Sequence, residues 1–252
     1  MNFLNISLLA IIQGLTELLP ISSTAHLILF SKLIDIDMNT YYLSILHLGT
    51  TLALIIHFWQ ILTKNLFTKE KVNMYLKIVI SVIPVGIVGL LFESVIEERL
   101  RGNMTMAISL IVWGIAMIVI ERRKTGSVRK LQNISWKQSF VMGVSQILAL
   151  IPGTSRSGIS TIAGILTGLD KYTAIQYSFL LGLPLLLGAS LYGIYQGYPE
   201  RFLNSIDIVG ILLTATVTFL ALSLLKKFSK KKWLTLFGIY RVILGIILLI
   251  LL

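Results

Sequence analysis

Six apolar runs, each long enough to cross a bilayer, take up most of this chain: roughly 41–62, 74–95, 104–121, 172–196, 208–226 and 234–252. A helix needs about 20 consecutive apolar residues to span the hydrocarbon core. Backbone polar groups at that depth must bond within the segment, so runs of this length read as helices. Only 13% of residues are charged, against about 25% in a soluble domain. The connections are too short for a soluble domain, so one membrane domain over 1–252 is expected. The chain has no cysteine, which excludes disulfide frameworks and thiolate chemistry. Met1 to Ile12 has no basic leader and no small-residue cleavage site, so it does not read as a removable signal peptide.

The net charge of +11 is concentrated. Lys64, Lys69, Lys71 and Lys77 form one basic stretch. Arg122, Arg123, Lys124, Arg129, Lys130 and Lys137 form a second, and Lys226, Lys227, Lys230, Lys231 and Lys232 a third. Short basic connections flanking apolar spans mark the cytoplasmic side rather than a nucleic-acid surface. The other connections are mixed or acidic: Lys32, Asp35 and Asp37; Glu93, Glu97, Glu98, Arg99 and Arg101; Glu200, Arg201 and Asp207. These are expected outside. Trp59, Trp113, Trp136 and Trp233 lie near span ends and suit interfacial anchoring.

Two apolar regions, roughly 3–36 and 137–169, do not fit as spans. Pro20 to Thr24 breaks the first and Pro152 to Ser157 the second. Each half is too short to cross, so both regions read as re-entrant helical hairpins, which are tolerated at depth only against protein or a wet cavity. The regions also repeat. Pro20 with Ser22 and Ser23 matches Pro152 with Thr154 and Ser155; Asp37 matches Asp170; Leu46 to Gly49 matches Phe179 to Gly182. The charge rule sends the copies across in opposite senses. The expected fold is therefore all-α: six transmembrane helices plus two re-entrant hairpins in an inverted-topology repeat, about 1–121 and 137–252. Transporters with broken helices meeting at the midplane share this layout.

The breaks carry the polar residues. Ionisable groups at membrane depth are costly, so they are functional candidates. In Pro152 to Gly158, small residues let successive N–H groups turn into one concavity, a nest that attracts anions at a helix N-terminus. Gly153, Thr154, Ser155 and Ser157 are expected at phosphate oxygens, with Arg156 supplying a planar fork. In the first break Gln13 and Glu17 share a helix face. Ser22, Ser23 and Thr24 open the next half-helix, where hydroxyls cap N–H groups or bind phosphate, and His26 follows one turn after Ser22. Hydroxyl, imidazole and carboxylate together suit a nucleophile or proton relay. Arg241, well inside the last run, either pairs with a buried carboxylate or helps bind an anion. His47 and His57 show no carboxylate spacing and read as structural.

At these residues the chain resembles the undecaprenyl-diphosphate phosphatase family, also called bacitracin-resistance proteins. The resemblance rests on Gln13-Gly14-Leu15-Thr16-Glu17, then Ser22-Ser23-Thr24-Ala25-His26, and on Pro152-Gly153-Thr154-Ser155-Arg156-Ser157-Gly158-Ile159-Ser160. Ala25 stands where the family pattern has glycine and Ser160 where it has threonine. Gln13 leaves one carboxylate where some relatives have two, which weakens any scheme that needs paired acids.

The resemblance implies hydrolysis of a polyprenyl diphosphate to the monophosphate at the outer side of the cytoplasmic membrane. That reaction recycles the lipid carrier of cell-wall synthesis and lowers bacitracin sensitivity. It also implies a divalent cation, Mg or Ca, with Glu17 as a ligand or as the group that orients the nucleophile. Ser23 is the expected nucleophile with His26 as base or relay, and His26 itself is the competitor. Arg156 holds the phosphate. The lipid substrate and the bilayer are the expected partners; nucleic acid is not, and a homodimer stays open. Two other classes are kept: a transporter or flippase for polyprenyl phosphate or another anion without hydrolysis, and a structural scaffold, which gives no reason for Arg156 and Glu17 at depth.

Overall fold

The structure is a computed structural model. It describes all residues except 37, 101, 124–125, 127–129, 198–202, 229–231 and 251–252, and the side chains at 97, 98, 197 and 224–228. Asp37, Arg101, Lys124, Arg129, Glu200, Arg201, Lys230 and Lys231 therefore lie outside the described residues.

The chain runs α1 (Phe3–Thr16), α2 (Ser23–Leu33), α3 (Thr40–His57), the short α4 (Trp59–Thr63), α5 (Lys69–Leu91), a three-residue α6 (Glu93–Val95) leading into a π turn (Ile96–Leu100), and α7 (Asn103–Glu121). A 3-10 turn (Leu131–Asn133) precedes α8 (Trp136–Ser145), and a second (Gln146–Leu150) follows it. Then come α9 (Arg156–Leu166), α10 (Lys171–Gly197), α11 (Ser205–Phe228) and α12 (Trp233–Ile250). Among the described residues there is no strand. Six helices, α3, α5, α7, α10, α11 and α12, are long and apolar enough to cross a membrane. This matches the six apolar runs in the sequence.

The helices at the two breaks are short. At 1.5 Å per residue, α1, α2, α8 and α9 measure only about 15–21 Å. Their breaks share a backbone device. Ser22 and Ser155 have φ of +71° and +72°, and each directly precedes a helix, α2 or α9. A positive φ on a non-glycine residue is sterically disfavoured and marks a constrained turn. The shared positive φ falls at Ser22 and Ser155, whereas the sequence match set Ser23 against Ser155. Matching caps accompany it. Asn2 and Ser135 accept from the N–H of Asn5 and Gln138 to open α1 and α8, and Asn39 and Asp170 accept from Tyr42 and Thr173 to open α3 and α10.

The described chain forms two compact units, each drawing on both halves of the sequence. The first holds Met1–Leu18, Ser23–Lys64 and Leu183–Lys227. Its core includes Ile6, Leu9, Leu27, Tyr41, Ile45 and Leu46. Glycines bring the backbones together: a Cβ on Gly14 would lie 2.7 Å from Val217 Cβ, and one on Gly49 would lie 2.5 Å from Ile211 O. Without water to drive association, small residues at close backbone contacts are how membrane helices gain packing energy. Tyr41 donates its hydroxyl to the buried Asp207 at 3.0 Å, which also accepts from Asn204 N at the start of α11.

The second unit holds Leu19–Ser22, Asn65–Gly182 and Phe228–Leu252. The tip of the first break thus belongs with the second break. α7 and α12 pack through Gly114 and Gly238, where either Cβ would press on the other glycine's carbonyl. Described members of the basic stretches, Lys77 and Lys137 among them, lie at one end of this unit. Lys69, Lys71 and Lys77 are not loop residues, as the charge reading had them, but lie on the first turns of α5. Lys77 is buried and donates to Ile134 O at 2.7 Å, tying the first stretch to the second. Glu121, the last residue of α7, is ion-paired with Lys171 and accepts from Thr235 N in the first turn of α12 at 3.2 Å. The C-terminal end of α7 and the N-terminal ends of α10 and α12 therefore share one face.

Candidate active site

In the first unit three side chains approach one carboxylate oxygen, Oε2 of Glu17. Thr16 ends α1, and the chain turns through Pro20 before Ser23 opens α2. The turn swings Ser23 back over Glu17, and the Ser23 hydroxyl donates to Glu17 Oε2 in a short hydrogen bond. Gln13, one turn earlier on α1, donates Nε2 to the same oxygen at 3.1 Å. His47 on α3 places Nε2 3.4 Å from it. Gln13, Glu17 and Ser23 are buried, and His47 is largely so. Charge-assisted hydrogen bonds of this kind are about twice as strong as neutral ones, and they hold a carboxylate that burial alone would disfavour.

Ser23 and Glu17, both expected at the site, are thus joined directly. His26 lies half-buried on the same helix, three residues past Ser23. Thr24 beside it is also half-buried. His47 is the residue that sequence reasoning set aside as structural; Glu17 is its one described polar partner. No spacing rule could have found it, because the two residues are 30 apart on different helices. Among the described residues no three His, Cys, Asp or Glu side chains gather as a metal cluster.

In the second unit the loop Ile151 to Ser155 delivers Arg156 to the start of α9. Ser155 caps that helix, accepting from Gly158 N at 3.3 Å, and its Oγ lies 3.3 Å from Ser157 Oγ. Ser157 also reaches Leu19 O at 3.4 Å, across to the tip that carries Ser22. Ser22 and Ser157 are buried; Ser155 and Arg156 are half-open. The Arg156 guanidinium lies against Gly182 of α10, filling the space that a Cβ there would need.

Three residues expected at a bound anion are engaged with the scaffold. Thr154 shares a hydrogen bond with Ser109 of α7 at 2.9 Å and is 1% exposed. Gly153, at φ +91°, lies so close to α7 that a Cβ would sit 2.6 Å from Met106 O. Its own carbonyl accepts from Arg241. Among the described residues Arg241 is not paired with a carboxylate. Fully buried, it donates to Gly153 O at 2.6 Å, to Pro20 O at 3.0 Å and to Leu110 O at 3.5 Å. It bolts the tips of both breaks to α7 through backbone carbonyls alone.

Comparison with known proteins agrees with the motifs. The family model described as "Bacitracin resistance protein BacA" matches residues 6–247. An "Undecaprenyl-diphosphatase" of Lachnoclostridium phytofermentans is 36% identical over 261 residues, covering 98% of this chain and 95% of that protein. "Undecaprenyl-diphosphatase 1" of Clostridioides difficile is 36% identical, covering 96% and 93%. The "Undecaprenyl-diphosphatase" of Methanococcus aeolicus is 36% identical, covering 99% and 98%. With that match running almost end to end and the Glu17–Ser23 pair and the Arg156 loop both in place, the chain belongs to the BacA bacitracin-resistance family.

Proposed function

We propose that this chain is a membrane phosphatase that hydrolyses a polyprenyl diphosphate, of the undecaprenyl kind its relatives are named for, to the monophosphate and phosphate. The observation that carries the reading is the hydrogen bond from Ser23 Oγ to Glu17 Oε2. A hydroxyl already bonded to a buried carboxylate is a nucleophile with its base in place, which a site that only binds or carries an anion does not need.

Ser23 Oγ attacks the terminal phosphorus and its proton passes to Glu17 Oε2 as the bond to the polyprenyl monophosphate breaks. Glu17 gives that proton to the departing monophosphate. A water then attacks the phosphoserine, Glu17 takes the water's proton, and Ser23 recovers it on leaving. Arg156 and the N–H groups opened by Ser155 hold phosphate oxygens, since phosphoryl transfer depends mainly on positioning and charge stabilisation. A direct attack by His26 is the competing assignment, and the residue that carries a trapped phosphoryl group separates the two.

The family resemblance brings in Mg or Ca. Glu17 and the buried Gln13 Oε1, which has no partner among the described residues, are oxygen ligands of the kind both ions take. They would hold Mg2+ together with waters and substrate phosphates. When bound, the ion neutralises phosphate charge.

In this reading α1–α2 and α8–α9 are the two re-entrant hairpins of an inverted repeat. Their lengths, their shared caps and the paired Ser22 and Ser155 support it. The basic ends face the cytoplasm, in keeping with the charge rule, and the site opens to the outer side of the cytoplasmic membrane.

The test is phosphate release from undecaprenyl diphosphate by the purified protein in detergent, with lipid flipping in liposomes assayed beside it. Release by the wild type and its loss in a folded Arg156→Ala variant are the expected results. Flipping without release would put the transporter reading in its place.

Gly182→Ala gives a finer check. The new methyl group must displace the Arg156 guanidinium, a flexible side chain that can move aside without unfolding the helix. A misplacement of about 1 Å costs on the order of 100-fold in rate. The expected result is a protein with an unchanged melting temperature whose turnover falls by about that factor.

A further inference from the structure

We propose that Gln146 is a phosphate-binding residue, its amide N–H donating to an oxygen of the same substrate phosphate that Arg156 holds. The inference deepens the hydrolase reading and rests on its assignment of Arg156 to the phosphate.

Gln146 is 1% exposed, and neither end of its amide has a hydrogen-bond partner among the described residues. A buried amide left in that state costs free energy, and a native fold retains one where something beyond the fold satisfies it. The first break shows what an amide at this place serves. The step along the chain from Gln13 to Gln146 equals the step from Ser22 to Ser155 and from Ser23 to Arg156. Gln13 Nε2 donates to the carboxylate of Glu17, which also accepts from Ser23. The same step puts Leu150 where Glu17 stands and Arg156 where Ser23 stands. The second break therefore keeps the amide, has no carboxylate at the matching position, and adds a guanidinium. An anionic oxygen that answers both groups comes from outside the chain, and a diphosphate carries it.

Packing puts Gln146 beneath Arg156. Gln138 Nε2 donates to Thr167 O at 3.1 Å, and a Cβ on Gly164 would lie 3.0 Å from Met142 Sδ. α8 and α9 thus run antiparallel, and their register carries Gln146 level with Ser160 and Thr161. That level is one turn of α9 from Arg156, whose carbonyl accepts from Ser160 Oγ at 2.8 Å. A glutamine covers such a distance, since Gln13 reaches Glu17 one turn along its own helix. Arg156 is half-open and Gln146 is closed off, so an oxygen held by the guanidinium meets the amide on its buried side. A hydrogen bond from an amide to an anionic oxygen is charge-assisted. Thr161, fully buried at the same level, also has a hydroxyl without a partner among the described residues. Donating to Gln146 Oε1, it leaves Nε2 for the phosphate.

The variants are Gln146→Met, which keeps the length and loses both polar atoms, and Gln146→Glu, which puts the anion on the chain. The probe is inorganic diphosphate, the substrate headgroup without its tail. A ligand that binds the folded state raises its melting temperature, and the size of the rise reports affinity. Without diphosphate, Gln146→Met is expected to melt no lower than wild type, because a buried polar group without a partner contributes nothing at rest. Loss of a hydrogen bond to a charged group corresponds to about a 10- to 100-fold fall. Diphosphate affinity should weaken by that factor in Gln146→Met and at least as much in Gln146→Glu, and kcat/KM with undecaprenyl diphosphate should fall alongside. If Gln146→Met does not insert and fold, Gln146→Leu replaces it with the same expectation.

Wild-type diphosphate affinity in a folded Gln146→Met or Gln146→Leu protein overturns the inference, and phosphate release by the wild type then leaves the hydrolase reading standing. Should diphosphate fail to stabilise even the wild type, kcat/KM decides: an unchanged value overturns the inference, and a fall of about 10-fold or more upholds it. No phosphate release by the wild type, with diphosphate affinity lost in the variant, keeps Gln146 as an anion ligand and removes hydrolysis instead.

Discussion

Glu17→Gln leaves an inserted, folded protein whose phosphate release falls by about 1,000-fold or more. The amide has the shape of the carboxylate, so the packing of α1 against α2 and α3 is preserved. What changes is the chemistry at one atom. Oε2 accepts from Ser23 and Gln13, and an amide oxygen accepts more weakly and cannot take the Ser23 proton. Turned the other way, the amide nitrogen would confront those donors. General-base catalysis contributes about 100- to 10,000-fold, and the same group serves in both halves of the reaction, so the loss is expected toward the upper end. The measurement is kcat with undecaprenyl diphosphate beside a melting curve in the same detergent. A variant that keeps more than a tenth of wild-type turnover sinks the assignment of Glu17 as base.

Arg241→Ala is expected to act on stability first. The guanidinium is fully buried and its partners are the carbonyls of Gly153, Pro20 and Leu110. Removing it strands those oxygens away from water and leaves a void. Each hydrogen bond to a charged group contributes about 1.5–3 kcal/mol and each stranded acceptor costs about 1–3 kcal/mol. A net loss of about 3–5 kcal/mol follows, which corresponds to a fall in melting temperature of about 10 °C or more for a chain of this size. Arg241→Lys keeps the charge but lacks the planar fork, so it should hold one loop and release the other, with an intermediate melting temperature. An alanine variant that melts within about 2 °C of wild type would show that the two loop tips are held by something else.

The six spans were legible because length and apolarity are properties of a single run. The breaks were legible because Pro20, Pro152 and their neighbours interrupt helical apolar sequence with turn chemistry. What the sequence hid were relations between elements. His47 carries no signal of its own; it matters only because α3 brings it to Glu17. Arg241 stayed ambiguous because its partners are backbone carbonyls, and every residue has one. Lys77 read as a loop charge because a lysine that donates to Ile134 O looks no different, in one dimension, from a lysine in water. The shared backbone turn at Ser22 and Ser155 was hidden because φ is not written in side-chain identity, and the Ser-Ser and Thr-Ser letters align one residue away.

The ties from Lys77 to Ile134 O and from Glu121 to Lys171 and Thr235 N reach beyond packing. They draw Lys77, Lys171 and Lys232, far apart in the chain, onto one rim of the second unit. In a leaflet rich in anionic lipid, each lysine or arginine near the surface is worth about 1 kcal/mol of attraction. Because the rim is assembled from parts distant in the chain, it reaches full strength only in the folded protein. Against an anionic leaflet, folding and seating therefore reinforce each other.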